Sequence, residues 1–256
     1  MADRILKYHK EGNVISITFP SEPIGKELFE TVHFEFSDLG EMILAEKDIR
    51  VCVLSGIGTQ TFKWVTESRH GLMCWAECVG NAPSLSNTAM AMDVPLIVGM
   101  DGEIEGPGLE LALFCDVRIA TSTSRFRFPH AKMGWAPFDG ATQMLPRVIG
   151  KSRSLELLLT GSSIDAETAY QIGLTHYIVN PGELPATLLE MSSKMAENSP
   201  TSLRYVKEAV VKGLDMTVEQ GLRLEADLYF LSHSTEDRIE GISAFKEKRK
   251  PLFKGK

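Results

Sequence analysis

The sequence predicts an α/β fold, and three observations carry that reading. Apolar strand-like runs at 49–55, 95–100 and 115–120 alternate with helix-period stretches, the order that gives parallel strands joined by right-handed crossovers. A Gly106-Pro107-Gly108 turn leads from one of these runs into a short apolar helix. From 196 to 256 nearly all of the chain has helical pattern, and helices gathered at one end suit a lid or a subunit interface better than a second core. The expected division is therefore a core over 1–195 and a helical region over 196–256.

Taken in order, Ile5–Tyr8 and Val14–Phe19 are short β-prone runs around Glu11-Gly12-Asn13, a hairpin composition. Leu28, Val32, Phe36, Leu39 and Ile43 recur at helical spacing, which predicts an amphipathic helix over 26–46. Ile49–Ser55 reads as a strand covered on both faces, followed by a loop from Gly56 to Val65. Leu72, Trp75, Val79 and Met90, with Pro83 between them, predict two helical pieces broken at the proline. A strand at 95–100, a helix at 107–114 and a strand at 115–120 come next. Asp165 caps a short helix ending at Gly173, and 174–179 is a last strand. Leu184, Leu188, Met191 and Met195 mark one further helix, and Ser199-Pro200 opens another as N-cap and N1.

With 256 residues the chain can bury one large core. Its 43% hydrophobic and 24% charged content is that of a folded globular protein. A net charge of −7 argues against nucleic acid or an anionic membrane as partner. No apolar run reaches the roughly 20 residues that span a bilayer, and the N-terminus has no leader-like segment, so a cytoplasmic protein is expected. Four cysteines form no CxxC pair; Cys74 and Cys78 lack the further ligands that zinc needs, and no metal is expected.

The chemistry-bearing residues cluster between 101 and 150. Free N–H groups at the helix start near Gly108 would favour an oxyanion or carbonyl oxygen, although Gly-Pro-Gly is also simply a good way to begin a helix. His130 and Asp139 lie nine positions apart. An aspartate beside an imidazole makes a competent general base; spacing alone equally allows a buried loop histidine and an N-capping aspartate. Glu225 falls on the apolar arc with Val218, Leu222, Leu228 and Tyr229, where a carboxylate needs a partner, either a structural arginine or a site histidine. Trp64, Trp135 and Phe138, with Trp75, are candidates for the wall of an apolar pocket or for core.

The stretch from Pro95 to Gly150, with Leu158, Thr160-Gly161, Asp165-Ala166, Ala169 and Gly173-Leu174, resembles the crotonase (enoyl-CoA hydratase/isomerase) superfamily, and Asp237-x-x-Glu240-Gly241-x-x-Ala244-Phe245 looks like its tail. The resemblance implies a crotonase-like spiral of ββα repeats with a C-terminal helical trimerisation region, assembling as a homotrimer or a dimer of trimers. It also implies two backbone N–H donors for an enolate-like oxyanion, at Thr66 and Pro107. Proline has no N–H, so Gly108 would have to substitute; one lost donor costs about 3 kcal/mol. Of the two glutamates of the family's hydratases, the first is matched by Glu110 and the second position holds His130. His130 followed by Asp139, with Glu225, resembles the carbon–carbon bond hydrolases of the superfamily, the β-diketone and oxocamphor hydrolase type.

The leading expectation is therefore a cofactor-free retro-Claisen hydrolase of a non-enolisable or cyclic β-diketone, with His130 oriented by Asp139 to activate water and Glu225 orienting the site or holding a water. One alternative is a hydratase or isomerase of a CoA thioester using Glu110, with Arg69 near the CoA phosphates. Another is a scaffold that has lost catalysis, whose signature would be His130 and Asp139 too far apart to hydrogen-bond.

Overall fold

A computed structural model describes residues 4–22, 26–58 and 84–256. The fold opens on an antiparallel hairpin, β1 (Lys7–Glu11) and β2 (Val14–Thr18), and β1 is exposed along its whole length. The helix α1 (Lys26–Ala45) buries Phe29, Val32, Phe36, Leu39 and Ile43 at helical spacing. Leu28, placed on that face by periodicity, is exposed, and Phe29 takes its place.

Strand β3 (Val51–Gly58) runs beyond the expected strand into what the sequence marks as loop. Its register slips between Leu54 and Ile57, so that Ile57 and Gly58 still pair with Met100 and Asp101 of β4 (Leu96–Asp101). Gly58 permits this pairing, because a Cβ there would lie 1.8 Å from Asp101 O. After α2 (Leu85–Ala91) and β4 come β5 (Glu103–Glu105), α3 (Pro107–Leu113) and β6 (Val117–Thr121). Next are β7 (Arg125–Arg127), a 3-10 turn at His130–Met133, α4 (Ala141–Ile149), α5 (Lys151–Thr160), β8 (Ser163–Asp165), α6 (Ala166–Gln171) and β9 (Tyr177–Val179). Four helices complete the chain: α7 (Leu184–Ala196), α8 (Pro200–Gly213), α9 (Val218–His233) and α10 (Glu236–Glu247).

The main sheet has the order β1-β2-β3-β4-β6-β9, parallel from β2 onward. A small second sheet, β5-β7-β8, is built from three-residue strands too short to carry a periodic signal. One face of the main sheet packs on α1 and α3 in the larger core. On the other face Leu188 of α7 packs with Val51, Val53, Ile97 and Ile119. Gly99 lets α7 approach closely, since a Cβ there would meet Leu188 Cδ1 at 2.6 Å.

The C-terminal helices are tied to the sheet by polar contacts. Lys207 Nζ pairs with Asp116 at 2.8 Å, and Arg50 donates to Ala196 O and Phe253 O. Val206, Val210, Leu214, Val218, Leu222 and Phe245 are all exposed, a larger run of apolar surface than scattered exposure explains.

Candidate active site

Gly106, at φ 56° and ψ −134°, turns the chain from β5 into α3 and places Pro107 at N1. Every residue of α3 is buried, Glu110 among them with no exposed surface. The first N–H groups of a helix have no acceptor within it. Pro107 removes one such donor from the turn and leaves Gly108 as the next.

β7 delivers the chain through Pro129 to His130, the first residue of the 3-10 turn, where the His130 carbonyl accepts from Trp135 N at 3.1 Å. The side chain is buried. Its Nδ1 has no hydrogen-bond partner, and Nε2 stands 4.0 Å from Glu110 Oε2, an atom that also has none. This exceeds direct hydrogen-bond range, so both groups keep valence free for a third. Burial holds the imidazole down at about 4, against an opposing pull from Glu105. Burial, with the Asp139 charge beside it, pushes the Glu110 carboxyl up to about 8, although N–H groups of Ala141, Asp139 and Phe138 oppose the shift. Near neutral pH the pair is a protonated acid facing a neutral base.

Asp139 is buried, but it does not orient His130 as the sequence suggests. Its Oδ1 accepts a hydrogen bond from Ser84 Oγ, and Oδ2 accepts from Ser86 N at 3.4 Å. Its own N–H donates to Glu110 Oε1 at 3.3 Å. The reason is the start of α2, where Ser84 is the N-cap and free N–H groups attract a carboxylate. Neither is Asp139 the cap of α4; Gly140, at φ 103°, occupies that position. Burial raises the Asp139 carboxyl, with Ser84 and Ser86 pulling the other way. The structure thus joins His130 to Glu110 and Glu110 to Asp139, while His130 and Asp139 make no hydrogen bond.

Glu225 is the second correction. On α9 it is exposed to solvent rather than buried, because the arc it shares with Val218, Leu222 and Tyr229 is itself uncovered in the single chain. Trp135 packs against the core, whereas Phe138 is exposed and lines a cavity of about 720 Å³ together with Ser84, Asn87, Asp139 and Arg147. Thr66, Trp64, Trp75, Arg69, Cys74 and Cys78 lie outside the described residues. Ser84 and Ser86 are the site residues that sequence reasoning missed; the available signal was a capping serine directly after Pro83. Among the described residues no cluster of His, Cys, Asp and Glu suits a metal ion, and no helix is long and apolar enough to cross a membrane.

A spiral α/β core that presents a buried acid and a buried base beside a helix start defines a class of proton-transfer sites, and comparison places it. The chain belongs to the enoyl-CoA hydratase/isomerase family, whose model matches residues 9–256, within the crotonase superfamily. It is 41% identical over 175 residues to the 2,3-dehydroadipyl-CoA hydratase of Escherichia coli, covering 68% of each chain. To the (E)-benzylidenesuccinyl-CoA hydratase of Thauera aromatica it is 34% identical, over 86% of this chain and 88% of that one. The crystal structure of an enoyl-CoA hydratase from Bacillus anthracis superposes with a TM-score of 0.85 at 29% identity, covering 98% of this chain and all of that one.

Proposed function

We propose that the protein is a hydratase or isomerase of coenzyme A thioesters, working through Glu110 and His130. The observation that carries this reading is the 4.0 Å approach of Glu110 Oε2 to His130 Nε2; burial pushes the carboxyl up and the imidazole down, which favours the protonated acid and the neutral base. In hydration, His130 takes a proton from water as its oxygen bonds to the β-carbon of the enoyl group. The electron pair moves to the thioester oxygen as an enolate, and Glu110 gives its proton to the α-carbon. Proton transfer from imidazolium to carboxylate restores the starting state. The enoyl-CoA hydratases among its relatives support the thioester as substrate.

The test is hydration of 2-butenoyl-CoA, followed by loss of the conjugated-thioester absorbance. General acid and base each contribute about 10²- to 10⁴-fold. Glu110→Gln and His130→Ala should each lower kcat by at least about 10², and no turnover by wild type sinks the reading.

Pro107 favours a second reading, the cofactor-free retro-Claisen hydrolysis of a β-diketone, because it withholds a thioester-oxyanion donor. His130 would then deprotonate water attacking a carbonyl, C–C cleavage would release an enolate, and the imidazolium would return the proton. Equal rates for wild type and His130→Ala on a bicyclic 1,3-diketone exclude it. The absence of a His130–Asp139 hydrogen bond is the signature set for an inactive scaffold, yet the buried Glu110–His130 pair gives the site another acid and base.

The exposed apolar surface of α8 to α10 supports assembly as a homotrimer or a dimer of trimers. Light scattering on the purified protein reads the mass directly, and a monomer excludes the assembly.

A further inference from the structure

Strands β5 and β7 pair in register, Glu103 with Arg125, Ile104 with Phe126 and Glu105 with Arg127. The last of these rungs is an ion pair: Arg127 Nε donates to Glu105 Oε2 at 2.7 Å, and Nη2 donates to the same oxygen. Beyond it the two chains part. Glu105 leads through Gly106 into α3 and Glu110, and Arg127 leads through Phe128 and Pro129 to His130. The rung therefore ties together the two segments that deliver the acid and the base. The Glu105 side chain is only 12% exposed, so its charge is little screened by salt.

Among the described residues, few charged groups surround His130. Glu110 faces Nε2 from α3, and Glu105 acts on the imidazole from β5 against the effect of burial. Asp139 is turned to Ser84 and Ser86. Lys151, Arg153 and Glu156 of α5, which packs against the 3-10 turn, are exposed, as are Arg125 of β7 and Lys132 of the turn itself. In hydration His130 becomes imidazolium before Glu110 has given up its proton, so the pair itself supplies no counter-charge at that moment.

We propose that Glu105 is a positioning residue for the reaction: a fixed anion, held by Arg127, that stabilises the imidazolium formed at His130, the part expected of Asp139. No proton passes to Glu105; protons move only from water to His130 and from Glu110 to the α-carbon. The proposal rests on the acid–base reading of Glu110 and His130 above.

The test follows the His130 ring through a pH titration of the full chain carrying ¹³C at histidine Cε1, with the signal identified by its loss in His130→Ala. The wild-type midpoint should lie at about 4. Glu105→Gln keeps the size and removes the charge, so the midpoint should fall by roughly half a pH unit or more. A role confined to packing predicts the reverse, because a loosened rung admits water and relaxes the burial that holds the imidazole down. Glu103→Gln, on the same face of β5, should leave the midpoint in place. Arg127→Gln strips the Glu105 charge of its counterion and should raise the midpoint, which keeps the test open if Glu105→Gln does not fold. With 2-butenoyl-CoA, Glu105→Gln should lower kcat by about threefold or more at unchanged KM, and Glu105→Asp should restore most of it. An unchanged or raised midpoint in Glu105→Gln overturns the proposal, as does an equal fall in Glu103→Gln or an unraised midpoint in Arg127→Gln. If the wild type does not hydrate the thioester, the thioester reading fails and the titration alone decides the role of Glu105.

Discussion

Glu110 and His130 face each other across 4.0 Å inside the protein, each with a polar atom that nothing else satisfies. A buried polar group without a partner costs about 1–3 kcal/mol. The unpaired atoms are Glu110 Oε2, which faces His130 Nε2, and His130 Nδ1 on the other side of the ring. Glu110→Gln keeps the shape and removes the transferable proton. Its kcat should fall by at least about 10² with little change in KM, while the circular-dichroism spectrum stays that of the wild type. A comparable rise in KM with kcat unchanged would move Glu110 from proton transfer to binding.

The pair also fixes a pH profile. Activity needs His130 neutral and Glu110 protonated. The kcat/KM of the free enzyme should therefore rise with pH through about 4 and fall through about 8. Glu110→Gln should lose the alkaline limb, and a limb that persists assigns it to another group. Stability carries the same sign. The folded state holds the Glu110 proton between 4.5 and about 8 while the unfolded chain has released it, so this group's contribution declines as pH rises through that window. His130 acts oppositely between about 4 and 6.5. Denaturant midpoints measured from pH 6.5 to 8 should fall in the wild type and be flatter in Glu110→Gln.

Ser84 connects α2 to this chemistry. Ser84→Ala removes the hydroxyl that donates to Asp139 and also the N-cap bond to Asn87 N. Loss of the cap should cost about 1 kcal/mol. Without that donor Asp139 ionises less readily, and its charge is one of the causes that hold the Glu110 carboxyl up. The alkaline limb should shift to lower pH in Ser84→Ala, and a shift the other way contradicts the linkage.

Pro107 gives a gain-of-function test. Pro107→Gly supplies an N–H where the helix start has none. If a thioester oxyanion forms there, kcat for enoyl-CoA hydration should rise by up to about 10²-fold. Unchanged kcat would mean that the oxyanion is held elsewhere.

Gly140 stands at φ 103°, and a Cβ on it would lie 2.6 Å from the Phe114 ring. Gly140→Ala should therefore destabilise the fold by about 2 kcal/mol or more, from backbone strain and displacement of the ring together. A thermal midpoint within a degree of wild type would show that the loop relaxes freely.

Much of the fold was legible because its signals are local and repeated. The apolar runs in β3, β4 and β6 and the spacing of Phe36, Leu39 and Ile43 each report burial directly. The three-residue strands β5, β7 and β8 are shorter than any period, and the slip at Leu54 depends on a partner strand distant in sequence. In the site, Glu110 and His130 were legible as residue types in a family pattern. What stayed hidden is the partner of Asp139, which turns to Ser84 and Ser86 at the start of α2, a segment distant in sequence, and makes no hydrogen bond to the imidazole. Glu225 misled because an apolar arc predicts contact without saying whether the same chain provides it.

The contact between Phe114 and Gly140 has one more meaning. The ring rests on bare backbone at the wall of the cavity that Asp139 lines, and the next peptide back belongs to Asp139, whose N–H reaches Glu110. Any side chain at position 140 would have to displace that ring, so bareness at one glycine keeps both the cavity wall and the peptide that donates to Glu110 where they are.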